Sequence, residues 1–242
     1  MAMSINTSLP CLLLLISLFL CRQADAQAMW LVLIFGDKAA SEQFHFSIDA
    51  GLNVSNLNGF EDGGTKQGIN YGVGAHLKLS DRWSLVSEFK PFSTKGVRNV
   101  ENPIELPEEA VDSEVKSKVN LNYLDIPVLA QYWLNDGLYF STGSQISFLL
   151  SARQRTSIIL SDGTTVDVRQ DLKDYFRGID FIIPLETGYK FILNEEKNKQ
   201  LDVRLRYNFG LSEVFEADTG LSARTSTFQL ILTLPFLKAE GE

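Results

Sequence analysis

The stretch LDVRLRYNFGL, from Leu201 to Leu211, decides the fold class of this chain. Its odd-numbered positions are apolar, and its even-numbered positions are charged, polar or glycine. Because the side chains of a β-strand alternate between two faces, one face of this strand is wholly apolar and the other holds Arg204 and Arg206. A soluble sheet would turn the apolar face to a protein core, whereas a membrane barrel would turn it to lipid and enclose the arginines.

Seven other segments show the same alternation, which gives predicted strands at 44–54, 69–79, 83–91, 119–134, 138–152, 181–191, 201–211 and 228–236. Short connections (80–82, 135–137 and 194–199) alternate with long ones (55–68, 92–118, 153–180 and 212–225). Short turns at one end and long loops at the other are typical of outer-membrane barrels. The sequence therefore predicts an all-β fold, an eight-stranded antiparallel up-and-down transmembrane β-barrel in the outer membrane. A soluble lipocalin-like barrel is the rival fold.

The N-terminus resembles a secretory leader. Leu12–Leu20 is an apolar core too short to span a bilayer as a helix, and Ala24-Asp25-Ala26 predicts cleavage before Gln27. The predicted organisation is a signal peptide (1–26), an N-terminal periplasmic segment (27–43), the barrel (44–237) and a C-terminal tail (238–242). Cys11 and Cys21 are the only cysteines. Both lie in the leader, so we expect neither a disulfide nor a thiolate metal site in the mature chain.

Two features near the leader leave alternatives open. Cys21 raises the question of a lipoprotein, but Leu20 precedes it where a small residue is expected. The apolar run MWLVLIF, Met29–Phe35, has three interpretations: an extension of the leader, a periplasmic segment packed under the barrel, or an element that enters the lumen.

The formal net charge of −8 argues against nucleic acid as a partner and against a basic membrane-binding patch. The sequence holds no G-x-S-x-G, H-E-x-x-H, Walker A or C-x-x-C motif. We therefore predict a protein that is not an enzyme and that carries no cofactor and no metal.

The lumen of the predicted barrel receives the polar face of every strand. Arg204 and Arg206 face it, and carboxylates on the same face are expected to neutralise them: Asp49, Glu88, Asp125, Glu186 and Asp202. Eight strands leave an interior just wide enough for side chains to fill. Salt-bridged packing is the favoured interpretation of this lumenal polar cluster, and a narrow ion path is the alternative.

The fourth and fifth strands read NYLDIPVLAQYWLNDGLYFSTG, from Asn122 to Gly143. This stretch resembles the PorT-like outer-membrane β-barrel family, in which a Tyr-Leu-Asp/Glu-Ile-Pro strand is followed by a turn and a Tyr-x-x-x-Gly strand. The matching residues are Tyr123, Leu124, Asp125, Ile126, Pro127, Tyr139 and Gly143. The resemblance implies an eight-stranded outer-membrane barrel in contact with lipids, and it implies a link to protein secretion for a few members.

Proline in a closed barrel raises a separate question, because Pro127 cannot donate to a ladder and a closed sheet has no free edge. The apolar phase also changes nearby, from Val119-Leu121-Tyr123 to Leu124-Ile126-Val128. Both observations predict a β-bulge around residues 123–127, and they favour a structural role for the motif over a binding site.

Three further features are candidate sites. His45 and His76, the only histidines, are predicted near the periplasmic mouth, as a hydrogen-bonded structural pair or else as a metal pair or general base. The second long loop is acidic, which suits either a solvated loop or a site for calcium or for divalent cations that bridge lipids; its carboxylates are Glu101, Glu105, Glu108, Glu109, Asp112 and Glu114. Ser157–Val168 is predicted to form a hairpin that extends the fifth and sixth predicted strands above the membrane, followed by a helical turn in 171–177.

These patterns predict a non-enzymatic outer-membrane barrel with an interaction or scaffolding role. One version of this role is that of an accessory to protein secretion or envelope assembly. Its expected partners are outer-membrane lipids and envelope or secretion proteins. A narrow pore for ions or small solutes is the alternative, and an outer-membrane enzyme is the third possibility.

Overall fold

A computed structural model describes residues 43–59, 63–100, 114–159, 164–194 and 199–236. The predicted signal peptide, the Met29–Phe35 run and most of the acidic loop lie outside these ranges. None of the helices in the described part of the chain is long and apolar enough to cross a bilayer.

The described residues form nine antiparallel strands. They are β1 (Phe44–Asn58), β2 (Gly64–Lys78), β3 (Trp83–Val100), β4 (Glu114–Trp133), β5 (Leu138–Ile159), β6 (Thr165–Asp171), β7 (Ile179–Asn194), β8 (Lys199–Gly210) and β9 (Arg224–Pro235). Each strand of the ring pairs with its neighbour in sequence, except that β5 pairs with β7, and the β1–β9 and β4–β5 pairings complete the circle. Eight strands therefore close a barrel, and the predicted fold is confirmed.

The ninth strand, β6, lies outside the closed ring. It pairs with the outer third of β5, so that residues 153–159 and 165–171 form a hairpin above the barrel. A 3-10 turn follows at Lys173–Tyr175. Both the predicted hairpin and the predicted helical turn are present, but the hairpin consists of β5 and β6 rather than of two barrel strands.

The outward face of the barrel carries an apolar belt. On β8 and β9 its members include Leu205, Tyr207, Phe209, Leu230 and Leu232, each between about 37% and 47% exposed. The opposite face of the same strands is buried and polar. Lipid is therefore the solvent of the apolar face, and the inside of the barrel is a core made of polar side chains.

Strand β4 corrects one prediction. Its inward positions alternate without a break from Ser117 to Gln131, so β4 has no bulge at residues 123–127. The change of apolar phase marks instead a change of surroundings. Inward-facing Val119 and Leu121 pack in an apolar interior above the lipid belt, whereas outward-facing Leu124 lies at the top of that belt.

The bulges lie in the two neighbours of β4. Where β4 advances by one residue from Asn122 to Tyr123, β5 advances by two, which leaves Leu150 as the extra residue. The β3–β4 register also shifts between Lys90 and Ser93, and this interval contains Pro91, a residue that bulges tolerate. The bulge that the sequence predicted in β4 is thus replaced by bulges in the strands on both sides of it.

Candidate functional site

The middle of the lumen holds a network of ion pairs that we name the central ion cluster. Its members are Asp49, Glu88, Lys90, Glu186, Arg204 and Arg206. The cluster contains three carboxylates and three cations, so its formal charges balance. All six side chains are at most 2% exposed.

Glu88 is the centre of this cluster. Arg206 donates through Nη1 and Nη2 to the two carboxylate oxygens of Glu88, at 2.9 and 2.6 Å. Arg204 donates to Oε1 at 2.5 Å, and Nζ of Lys90 lies 2.7 Å from Oε2. One carboxylate therefore contacts three buried cations, and Asp49 and Glu186 supply the other two negative charges that balance them.

The strand register brings these groups together. Glu186 of β7 lies directly opposite Arg206 of β8, and Nε of Arg206 donates to Glu186 at 2.7 Å. Nη2 of Arg204 lies 2.9 Å from Oδ1 of Asp49, whose position on β1 is opposite Thr233 of β9. Thr233 in turn donates to Asp49 at 2.7 Å.

A second ion pair lies closer to the long-loop end. Nζ of Lys95 is 3.0 Å from Oδ1 of Asp125 and lies 4.6 Å from the centroid of the Tyr123 ring. Asp202, the remaining predicted carboxylate, lies on the other side of the central ion cluster and accepts a hydrogen bond from the hydroxyl of Tyr139 at 3.3 Å. The seven residues of the lumenal polar cluster thus all lie inside the barrel, but they divide among three groups.

The motif residues have identifiable places in this interior. Tyr123 and Asp125 surround Lys95, and Pro127 is buried between them and the turn. Leu124 and Ile126 alternate with these three and are less buried. The strand therefore presents every second motif residue to the lumen.

Two glycines explain the second half of the motif. Tyr139 lies directly opposite Gly188, where a Cβ atom would come 2.3 Å from the tyrosine ring. A Cβ at Gly143 would come 2.0 Å from the carbonyl oxygen of Val128. A larger residue would therefore require the Tyr139 ring to move at Gly188 and the backbone of β4 to move at Gly143.

The long-loop end of the barrel is closed by a cluster that we name the apolar cap. It consists of Leu57, Val97, Val119, Leu121, Tyr123, Leu149, Ala152, Leu172, Phe176, Val214, Phe215 and Ala223, each at most 7% exposed. Phe176 and Phe215 belong to different loops, and their rings pack with centroids 4.6 Å apart. Backbone hydrogen bonds from Arg177 to Val214 (2.8 Å) and from Glu216 to Tyr175 (3.0 Å) hold the two loops together over the mouth.

The short-turn end holds a cavity of about 500 Å³, which we name the vestibule. His45 and His76 line it, with their rings stacked at a centroid distance of 4.7 Å, and Nε2 of His76 lies 3.0 Å from Oγ of Ser47. Across the vestibule, Nζ of Lys190 lies 4.8 Å from the centre of the Trp133 ring. Among the described residues, no three His, Cys, Asp or Glu side chains come together as metal ligands would.

The apolar cap and Lys95 were not predicted from the sequence. Lys95 lies beyond the predicted end of the third strand, in a stretch that was predicted to be a loop. In the structure, β3 continues nine residues past that end and therefore includes Lys95. Phe176 and Phe215 lie in loops that have no periodicity, and the only signal there is the apolar pair Val214-Phe215 within a polar stretch. The acidic loop was a candidate cation site; Glu114 is the first residue of β4, and the other five carboxylates lie outside the described residues.

Comparison with solved structures finds outer-membrane proteins. The chain is similar to Neisserial surface protein A (13% identity, 81% of this chain and 100% of that chain, TM-score 0.39). It is also similar to OprG from Pseudomonas aeruginosa (11%, 83% and 99%, TM-score 0.43) and to Ail, the attachment invasion locus protein of Yersinia pestis (12%, 81% and 100%, TM-score 0.38). No curated protein matches the chain.

A family model is the more informative match. The model described as "Outer membrane protein beta-barrel domain" matches residues 26–216, which is well over half of the chain. With the closed barrel and its apolar belt, this match places the protein in the outer membrane. The chain belongs to the outer membrane protein beta-barrel domain family.

Proposed function

We propose that the protein is a non-conducting, non-enzymatic outer-membrane barrel that acts through the surfaces it exposes, in an interaction or scaffolding role. The observation that carries this proposal is the central ion cluster, which fills the lumen at mid-height. Arg204 and Arg206 are 2% and 0% exposed and reach across the barrel to Glu88 on β3. An interior of eight strands has no room for a water column beside such a network.

The apolar cap supports the same proposal at the other level of the barrel. An ion that passed the central ion cluster would still meet buried aromatic rings at Phe176 and Phe215. Moving an ion into apolar surroundings without partners is strongly unfavourable. The central ion cluster and the apolar cap lie in series along the lumen. An ion must pass both of them, so a small leak through one would still not give a steady current.

Planar-bilayer conductance tests the non-conducting part. We expect no steady unit current from the wild-type protein. A positive control removes both barriers in a charge-balanced way: Glu88→Ser, Glu186→Ser, Arg204→Ser and Arg206→Ser together with Phe176→Ala and Phe215→Ala. Unit currents in the wild type would overturn the proposal in favour of the narrow pore.

The scaffolding part is supported by the resemblance of Tyr123–Pro127 to the PorT-like family, in which a few members are linked to protein secretion. It is tested by crosslinking the tagged protein in cells, extracting it in detergent and identifying the proteins recovered with it. Stoichiometric recovery of secretion or envelope proteins is the expected result. Recovery of the barrel alone would count against a scaffolding role.

A further inference from the structure

Four basic residues lie in one row across four adjacent strands above the lipid belt. Arg98 of β3 is directly opposite Lys118 of β4. Lys118 is in turn opposite Arg155 of β5, and Arg155 is opposite Arg169 of β6. We name this set the basic row. Because neighbouring strands lie about 4.8 Å apart, the row spans roughly 14 Å.

The basic row faces away from the barrel interior. Lys118 is exposed between buried Ser117 and Val119, and Arg98 is exposed next to buried Val97. The row therefore lies on the same outward face that carries lipid-facing side chains lower down the strands.

The height of the row can be estimated from the strands. Lys118 lies six residues above Leu124, at the top of the apolar belt, which corresponds to roughly 20 Å along β4 and about 15 Å of height for a typical strand tilt. A phospholipid headgroup layer is only about 5–7 Å thick. The basic row is thus level with the sugars of a glycolipid headgroup rather than with phospholipid phosphates.

Few acidic side chains compensate the basic row on this sheet. Asp167 on β6 is paired with Arg155 and also accepts from Ser157 at 2.6 Å. Asp171 accepts from the backbone N–H of Lys173 at 3.0 Å. Lys118, Arg98 and Arg169 have no carboxylate within ion-pair distance among the described residues.

Like charges directly opposite each other destabilise a sheet. A ligand that supplies several anions about 5 Å apart would remove this repulsion along the whole row. The net charge of −8, which argued against a basic membrane-binding patch, conceals this local excess of positive charge.

We propose that the basic row binds the anionic saccharide headgroups of outer-leaflet glycolipids, with phosphate or carboxylate groups seated on Arg98, Lys118 and Arg169. The inference goes beyond the proposed function and does not depend on whether the lumen conducts. It gives the protein a defined contact with the outer surface of its own membrane.

The test uses the full barrel in neutral detergent micelles, titrated with purified rough lipopolysaccharide and followed by thermophoresis. The test variant is Arg98→Gln, Lys118→Gln and Arg169→Gln. The matched control is Lys78→Gln, Arg82→Gln and Lys199→Gln, which removes the same charge at the short-turn end. Heat-modifiable gel migration verifies that each variant is folded.

We expect the test variant to bind roughly tenfold more weakly than the wild type, since three exposed ion pairs contribute modestly each. The control should bind within twofold of the wild type, and added salt should weaken wild-type binding. Equal weakening in both variants, or none in the test variant, would refute the proposal.

Two further titrations identify the source of the anions. Dephosphorylated lipopolysaccharide should bind much more weakly than the native form. Soluble dextran sulfate that binds the row while lipopolysaccharide does not would overturn the glycolipid assignment in favour of a free polyanion.

A variant without the acidic residues of loop 101–113 tests that loop as a competitor. Binding by this variant alone, with none in the wild type, would also refute the proposal.

Discussion

Replacing Glu88 by glutamine is the sharpest perturbation of the central ion cluster. The amide keeps the size of the side chain but removes the negative charge that Lys90, Arg204 and Arg206 all contact. Three cations would then face only Asp49 and Glu186. Breaking a buried pair by removing one partner typically costs roughly 3–5 kcal/mol, because the other charges stay buried without compensation. We expect Glu88→Gln to lower the free energy of unfolding by about that amount.

Removing one cation should restore part of the loss. Lys90 is ion-paired with Glu88 alone among the described carboxylates, so Glu88→Gln combined with Lys90→Met leaves two arginines facing two carboxylates. The double variant should be more stable than Glu88→Gln by at least about 1 kcal/mol, since the uncompensated ammonium is gone. A double variant less stable than the single one would contradict this charge balance.

The assay is equilibrium unfolding in urea, with lipid-reconstituted protein followed by tryptophan fluorescence. Asp81→Asn is the matched control, because Asp81 is 99% exposed in its ion pair with Lys78. An exposed pair contributes little, so this variant should unfold near the wild-type midpoint. If Glu88→Gln shifted the midpoint no more than Asp81→Asn does, the central ion cluster would not be a stabilising core.

Three other predictions test different parts of the barrel. Gly188→Ala should destabilise by about 1–3 kcal/mol because its Cβ would meet the Tyr139 ring, whereas Gly178→Ala, with nothing within 4 Å, should be near neutral in the same unfolding assay. Phe215→Ala should cost roughly 3 kcal/mol or more through the cavity left in the apolar cap and should speed proteolysis of the long loops, while conductance stays absent because the central ion cluster remains. Arg155 and Ser157 hold the pKa of Asp167 below its ordinary value of 3.8, so the stabilisation that this carboxylate gives the β5–β6 hairpin is complete above about pH 4 and is lost as the pH falls further. The hydrogen-exchange protection factors of the hairpin amides, taken relative to the intrinsic exchange rate at each pH, should therefore fall below pH 4 in the wild type, and an equal fall in Asp167→Asn would be inconsistent with that assignment.

The sequence predicted the membrane-spanning part of each strand well, because lipid outside and polar packing inside impose one alternation over about ten residues. Strand ends were predicted less well. β5 continues to Ile159 and β3 to Val100, beyond the predicted Ala152 and Pro91. Above the lipid belt the outward side chains meet water and the inward ones meet the apolar cap, so the alternation inverts and no longer resembles a membrane strand.

The partners of the buried charges could also be predicted only in part from the sequence. Alternation alone gives the inward direction of Arg204 and Arg206, and charge balance makes carboxylate partners necessary. The choice of Glu88 as the shared partner depends on register across several strands, which periodicity does not determine. Lys95 was missed because the bulge next to Pro91 shifts the phase of β3 before that residue is reached.

The distribution of charge in the barrel bears on where it can act. Inside, the central ion cluster balances its charges within the chain, so its groups are engaged with one another and are not available to a solute. Outside, the basic row on β3–β6 has few internal partners and faces the layer in which lipid headgroups lie. A buried network that is internally neutral stabilises the fold, whereas an exposed array of one sign gains most of its energy from an external partner. The proposed interaction role and the proposed glycolipid site are therefore consistent with each other, since both use the outer wall of the strands and neither uses the lumen.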